Sequence, residues 1–203
     1  MQRLIDNYRR FRETAFREHR DLYDALVAQG QSPRAMIIGC SDSRVDPAIL
    51  FGTAPGEVFV VRNVANLVPP YAPSADYHGT SAAVEFAVRS LKVEHVIVLG
   101  HARCGGIAAL LDDASGLGDD FIRPWMRIAA PARERALAEA ARAGLDPHRC
   151  CEREAIKVSL ANLRGFPWIA ERVAAGTLDL HGWYFDLETG ELLRLGDGGF
   201  VPV

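Results

Sequence analysis

The rhythm of apolar and polar positions changes near residue 30. Before it, Leu4, Ile5, Tyr8 and Phe11 form one helical stripe, and Leu22, Tyr23, Leu26 and Val27 form another, among Arg and Glu. Gly30 ends this arm. Beyond Ser32-Pro33 the chain turns to short continuous apolar runs at 35–39, 57–61 and 95–100, which predict buried strands. Residues 79–91 are apolar at Ala83, Phe86, Ala87 and Leu91 and read as a helix crossing the sheet. Further helices are predicted at 105–111, at 121–143 with a break at Pro131, at 147–163 and at 167–175, the last two with proline near the first turn. Segments 178–186 and 191–195 flank Glu188-Thr189-Gly190, a turn signal, and predict a closing hairpin. The alternation predicts an α/β fold: a mostly parallel central sheet with helices on both faces, an N-terminal helical arm, and a C-terminal antiparallel hairpin or edge strand. No repeat, low-complexity tract or linker interrupts it. Residues 1–203 therefore read as one domain, with a helical arm at 1–30, either a solvated face or a surface that packs on a partner subunit, and a core at 31–203.

Composition narrows the partners. In 203 residues there are 23 basic and 26 acidic side chains, so no global basic field exists for nucleic acid. The apolar runs are far shorter than the roughly 20 residues of a membrane helix. The first 20 residues are charged throughout and do not read as a signal peptide. Four cysteines are too few for a disulfide scaffold, and the expectation is a reducing cytoplasm.

Two strand ends hold most of the reactive side chains. Cys40-Ser41-Asp42-Ser43-Arg44 follows the first strand and His101-Ala102-Arg103-Cys104-Gly105-Gly106 follows the third. In open α/β sheets, ligands bind outside the carboxyl ends of strands where chain order reverses, so the two clusters can converge. Two thiolates and an imidazole suit tetrahedral Zn²⁺, and three protein ligands leave a fourth position open, as in catalytic sites. A Cys–His nucleophile and inert buried cysteines are the competing readings at this point. Asp42 and Arg44, two apart after a strand, can form a bidentate ion pair.

These pieces, with Pro55-Gly56-Glu57, Val61-Arg62-Asn63-Val64-Ala65-Asn66 and His181-Gly182-Trp183, resemble the β-class carbonic anhydrases in order and spacing from about residue 31 to about 191. The resemblance implies reversible hydration of CO₂ to bicarbonate and a proton, with one Zn²⁺ per subunit on Cys40, His101 and Cys104. It implies that Asp42 and Arg44 form the dyad that orients the zinc-bound hydroxide, with Asp42 able to become a fourth ligand in a closed state. Two thiolates should leave the bound water less acidic than three histidines do, so activity is expected to rise towards alkaline pH.

The pocket resembles the plant-like style of that family, through Gln31, Phe59 and Phe86, with Phe86 replacing a tyrosine; the Gly105 N–H is a further candidate donor. The other style needs a Trp, an Arg and a Tyr for a regulatory bicarbonate. This chain has Ile37, Arg62 and Phe185 there, so that inhibition is not expected. The family's assemblies imply a homodimer or dimer of dimers, with Gln31 supplied to a neighbour. His78 and His19 are candidate proton shuttles, and Cys150 and Cys151 read as buried thiols. CS₂ or COS hydrolysis on the same scaffold, and a non-catalytic zinc protein, are the alternatives.

Overall fold

Three apolar runs pair as adjacent parallel strands of a six-stranded sheet: β1 (Ala35–Cys40), β2 (Val58–Asn63), which forms one edge, and β3 (His95–His101). The computed structural model describes residues 1–74, 76–112 and 120–203. The order is β2-β1-β3-β4-β5-β6, with β4 (Asp179–Phe185) parallel to β3, and β5 (Leu192–Gly196) and β6 (Gly199–Pro202) antiparallel. The chain runs from β1 outward to β2 and then back across to β3. The order thus reverses between β1 and β3, and their carboxyl ends form the crevice that such a switch creates.

The two faces are not covered alike. One packs Met36, Ile38, Val96 and Val98 against α5 (Gly79–Glu85), α9 (Pro147–Arg164) and α10 (Pro167–Ala174). Helix α9 lies tight on the sheet because Gly100 and Gly182 have no side chain; a Cβ there would stand 2.7 and 2.8 Å from Ile156. The other face buries Ile37, Ile97 and Leu99, and among the described residues the helical side chains packed on that cluster are Leu50 and Phe51 of the short α4 (Pro47–Phe51). The expectation of helices on both faces is met within one chain by that single turn and a half.

Other differences are local. The arm is three helices, α1 (Gln2–Glu13), α2 (Ala15–Glu18) and α3 (Arg20–Gln29), none with a buried residue. The crossover helix widens into a π-helical turn at Phe86–Ser90. Helix α6 spans Gly105–Leu111, and the predicted stretch 121–143 divides into α7 (Ile122–Met126), a 3₁₀ turn at Arg127–Ala129 and α8 (Ala130–Ala143). Pro131 therefore does not break a helix. It sits in the first turn of α8, where its missing N–H has no intrahelical role.

Candidate metal centre and active site

Cys40 ends β1, His101 ends β3, and Cys104 precedes α6. All three are buried, and one ligand atom from each lies within 4.8 Å of the other two. His101 Nδ1 is 2.8 Å from the Ala102 carbonyl oxygen. A carbonyl only accepts, so Nδ1 carries the proton and Nε2 keeps its lone pair. Nε2 is buried without a hydrogen-bond partner, an uncommon and costly state unless it binds a cation. The donor set of two thiols and one free imidazole nitrogen fits Zn²⁺.

The two thiols share one proton, so that Cys40 is the thiolate and Cys104 the thiol. A hydrogen bond from Cys104 draws the Cys40 pKa down, with burial opposing and the neighbouring His101 and the backbone N–H groups of Asp42 and Ala65 assisting. Cys104 is pushed up by the same shared proton, and a metal must displace that proton to gain the second thiolate.

Local backbone geometry sets these positions. Arg103 at φ 57° folds the chain between His101 and Cys104, and Ala65 and Asn66 at φ 64° and 48° wrap the opposite wall. Such left-handed non-glycine residues are held by their surroundings. The Asn63 side chain donates to the Leu67 carbonyl at 2.8 Å and accepts from its N–H at 2.9 Å; Trp125 Nε1 donates to the Val64 carbonyl at 2.8 Å. From α9, Asn162 donates to the Val68 carbonyl at 2.8 Å. Gly106 must stay small, because a Cβ would stand 3.0 Å from Val64 and 3.2 Å from Ala65.

Asp42 is gripped by Arg44. Its Oδ1 accepts from Arg44 N at 3.0 Å and Nε at 2.9 Å, and its Oδ2 accepts from Nη2 at 2.7 Å. Arg44 Nη2 also donates to the Arg103 carbonyl at 3.0 Å, tying the two loops together. The guanidinium holds the Asp42 carboxyl well below the usual carboxylate range. Asp42 is not part of the metal-ligating trio, and Oδ2 keeps acceptor capacity for a further donor.

Two supporting residues were not singled out for these roles from sequence. Arg62 braces the first loop: Nε donates to the Cys40 carbonyl at 2.8 Å, Nη2 to the Asp42 carbonyl at 2.6 Å, and Nη1 to Asp46 Oδ2 at 2.6 Å. Ile37 and Phe185 lie together in an apolar cluster on the sheet. Glu152, buried on α9, accepts from the Cys104 N–H at 3.1 Å and from the Tyr184 hydroxyl at 2.8 Å, and burial raises its pKa. An acidic residue inside an apolar helix face was the available signal.

The remaining candidates lie elsewhere in the chain. Gln31 is exposed before β1, at the opposite end of that strand from Cys40. Phe59 pairs with Met36 while Cys40 pairs with Asn63, which sets Phe59 about 13 Å further down the strands. It meets Phe86 at 5.8 Å between ring centroids. One chain does not bring Gln31, Phe59 and Phe86 to its own cysteines. Gly105 opens α6 beside Cys104. His78 contacts Ser74 Oγ at 2.8 Å, and His19 is exposed between α2 and α3. Cys150 and Cys151 are buried free thiols on α9.

A family model described as carbonic anhydrase matches residues 35–192. The β carbonic anhydrase 5, chloroplastic, of Arabidopsis thaliana is 44% identical over 163 residues, 79% of this chain and 53% of that protein. The chain belongs to the β-carbonic anhydrase family. It spans about half the length of that curated relative. Among solved structures, the β-carbonic anhydrase CcaA aligns over 100% of this chain and 92% of its own, with TM-score 0.91 and 36% identity. A tetrameric β-carbonic anhydrase of Sordaria macrospora aligns over 96% of both chains, with TM-score 0.84 and 29% identity. The carbonic anhydrase match begins at the first residue of β1 and ends at the first residue of β5, so it contains both loops of the metal centre and leaves the arm outside.

Proposed function

We propose that this chain catalyses the reversible hydration of CO₂ to bicarbonate and a proton at the crevice between β1 and β3. The observation that carries the reading is the buried Cys40, His101 and Cys104 trio with a free His101 Nε2, beside an Asp42 held ionised by Arg44. Cys40, His101 and Cys104 would hold Zn²⁺, which when bound would supply the Lewis acidity that lowers the pKa of a water molecule.

The protein's own groups do the rest. Asp42 accepts the hydrogen bond of the attacking oxygen and fixes its lone pair towards the substrate, while Arg44 keeps that carboxylate charged and aimed. The Gly105 N–H is a donor for the developing carboxylate. A second copy of the chain supplies Gln31, Phe59 and Phe86, whose amide and aromatic wall complete an otherwise open pocket for an apolar gas. The exposed Leu4, Ile5, Tyr8 and Phe11 of the arm fit the same assembly, a homodimer or a dimer of dimers; the Sordaria macrospora relative is described as tetrameric. Arg62, with all three nitrogens engaged, supports the absence of bicarbonate inhibition at the Ile37–Phe185 position.

Thiolate ligands are kept intact by a reducing compartment, for which our reading is the cytoplasm, although the Arabidopsis thaliana relative is described as chloroplastic. Among the described residues no helix is long and apolar enough to cross a membrane. Stopped-flow CO₂ hydration is the test, run beside COS and CS₂. Rapid turnover of CO₂, rising towards alkaline pH, supports the reading. A rate indistinguishable from buffer, or preference for a sulfur substrate, overturns it.

A further inference from the structure

The opposite ends of the strands that lead to the metal centre hold a second cluster of ligand atoms. His95 is the first residue of β3, and Asp179 and His181 are the first and third of β4. In the parallel ladder His95 pairs with Asp179 and Ile97 with His181, so all three side chains leave one face of two hydrogen-bonded strands. His95 Nδ1 is 3.3 Å from His181 Nε2 and 3.7 Å from Asp179 Oδ2, and the three ligand atoms lie within 4.8 Å of one another.

These distances match those of three ligands around one ion. Two Zn–N bonds of about 2.0–2.1 Å at a tetrahedral angle place their nitrogens about 3.3 Å apart. The facing imidazole nitrogens can share only one proton between them, which disfavours a doubly charged pair and leaves a lone pair available. Burial and the His95 neighbour lower the His181 pKa accordingly. The backbone ladder fixes the three Cα positions and their common face before any ligand arrives, so the ordering left to be done is that of the side chains. Solvent reaches the site, since the His95 and Asp179 side chains are 38% and 70% exposed.

We propose that His95, Asp179 and His181 form a second divalent transition-metal site, taking Zn²⁺ or Co²⁺ through two imidazoles and one carboxylate with water completing the sphere. Harder and lacking thiolates, it binds less tightly than the cysteine centre and is filled after it. An ion there clamps the amino-terminal ends of β3 and β4, whose ladder also carries His101 at its far end.

The test uses the zinc-loaded, assembled protein. Calorimetric titration with Co²⁺ is expected to show uptake of one further ion per chain, with ligand-field absorption lacking a thiolate-to-cobalt charge-transfer band. Binding raises Tm by mass action. In His95→Gln and, separately, Asp179→Asn, the affinity falls at least about tenfold and the Tm rise shrinks. CO₂ hydration in both variants stays at the wild-type rate, which shows that they fold. No uptake, uptake carrying a thiolate band, or uptake unchanged in both variants overturns the proposal.

Discussion

At the carboxyl ends of β1 and β3 the chain leaves almost nothing to its surroundings. Arg62 ties the Cys40 loop to itself at three points, Asn63 and Trp125 pin the wall opposite, and Glu152 holds the Cys104 N–H from below. The arm is the reverse. Its three helices bury no residue, and Leu4, Tyr8 and Phe11 stand 63%, 61% and 41% exposed. An amphipathic helix that buries nothing gains little from folding beyond its own hydrogen bonds, and short isolated helices are marginal in water. The contrast separates what a single chain completes from what it leaves open: ligand geometry belongs to the first, and the exposed arm to the second, which in the proposed assembly a second copy would cover while supplying the substrate wall.

Breaking the internally completed region has the largest expected effect. His101→Ala removes the only imidazole of the trio, and both bound zinc by elemental analysis and CO₂ hydration should collapse, the rate by at least about a thousandfold. Asp42→Asn separates binding from chemistry. Zinc should remain while kcat/KM falls about 10²–10⁴-fold, as for a lost group that steers a proton or hydrogen bond in the transition state. Zinc loss in that variant would make Asp42 part of metal binding, against the proposed reading.

The arm should respond differently. Leu4→Asp together with Phe11→Asp removes two apolar contacts, each worth about 1.5–3 kcal/mol on burial, and should weaken association at least about a hundredfold while each chain keeps its zinc. Sedimentation read beside metal content checks this. Activity that survives in the monomer would place the substrate wall within one chain.

Two smaller effects probe the support beneath the site. Gly100→Ala puts a methyl 2.7 Å from Ile156 and should cost about 1–3 kcal/mol in urea unfolding, through displacement of α9. Glu154, almost buried, is held by Arg135 at 2.7 Å and by Lys157. Burial pushes its pKa up, but the two cations outweigh that and the net shift is downward. A carboxyl with a lowered folded pKa adds stability above the ordinary carboxylate range and loses it as pH falls through the folded value. Glu154→Gln should therefore flatten the loss of stability below about pH 4.5, by about 1 kcal/mol or less because both cations are half exposed.

Much of the metal-centre end was legible in sequence because it is local. Continuous apolar runs marked β1 to β3, and the reactive residues stand within a few positions of those strand ends. The ion pair of Asp42 and Arg44 spans only two residues, so spacing alone brings it within reach. Short elements were missed: α4 is five residues behind Asp46-Pro47, and β6 is a four-residue edge whose register depends on β5. The π-helical turn at Phe86 and the 3₁₀ turn before α8 are decided by packing, which periodicity does not report. The meeting of His95 with His181 depends on which strands pair and in what register, 86 positions apart in sequence. The separation of Phe59 from Cys40 has the same origin, since it is set by the β1–β2 register.

The most direct measurement plots CO₂ hydration rate against tightly bound zinc as the metal is stripped by a chelator and then restored. The account predicts a line through the origin that reaches full activity at one such ion per chain, with Asp42→Asn following a line of far smaller slope to the same stoichiometry. Hydration that persists without zinc, or a fully zinc-loaded wild-type protein that leaves CO₂ unhydrated, would contradict it.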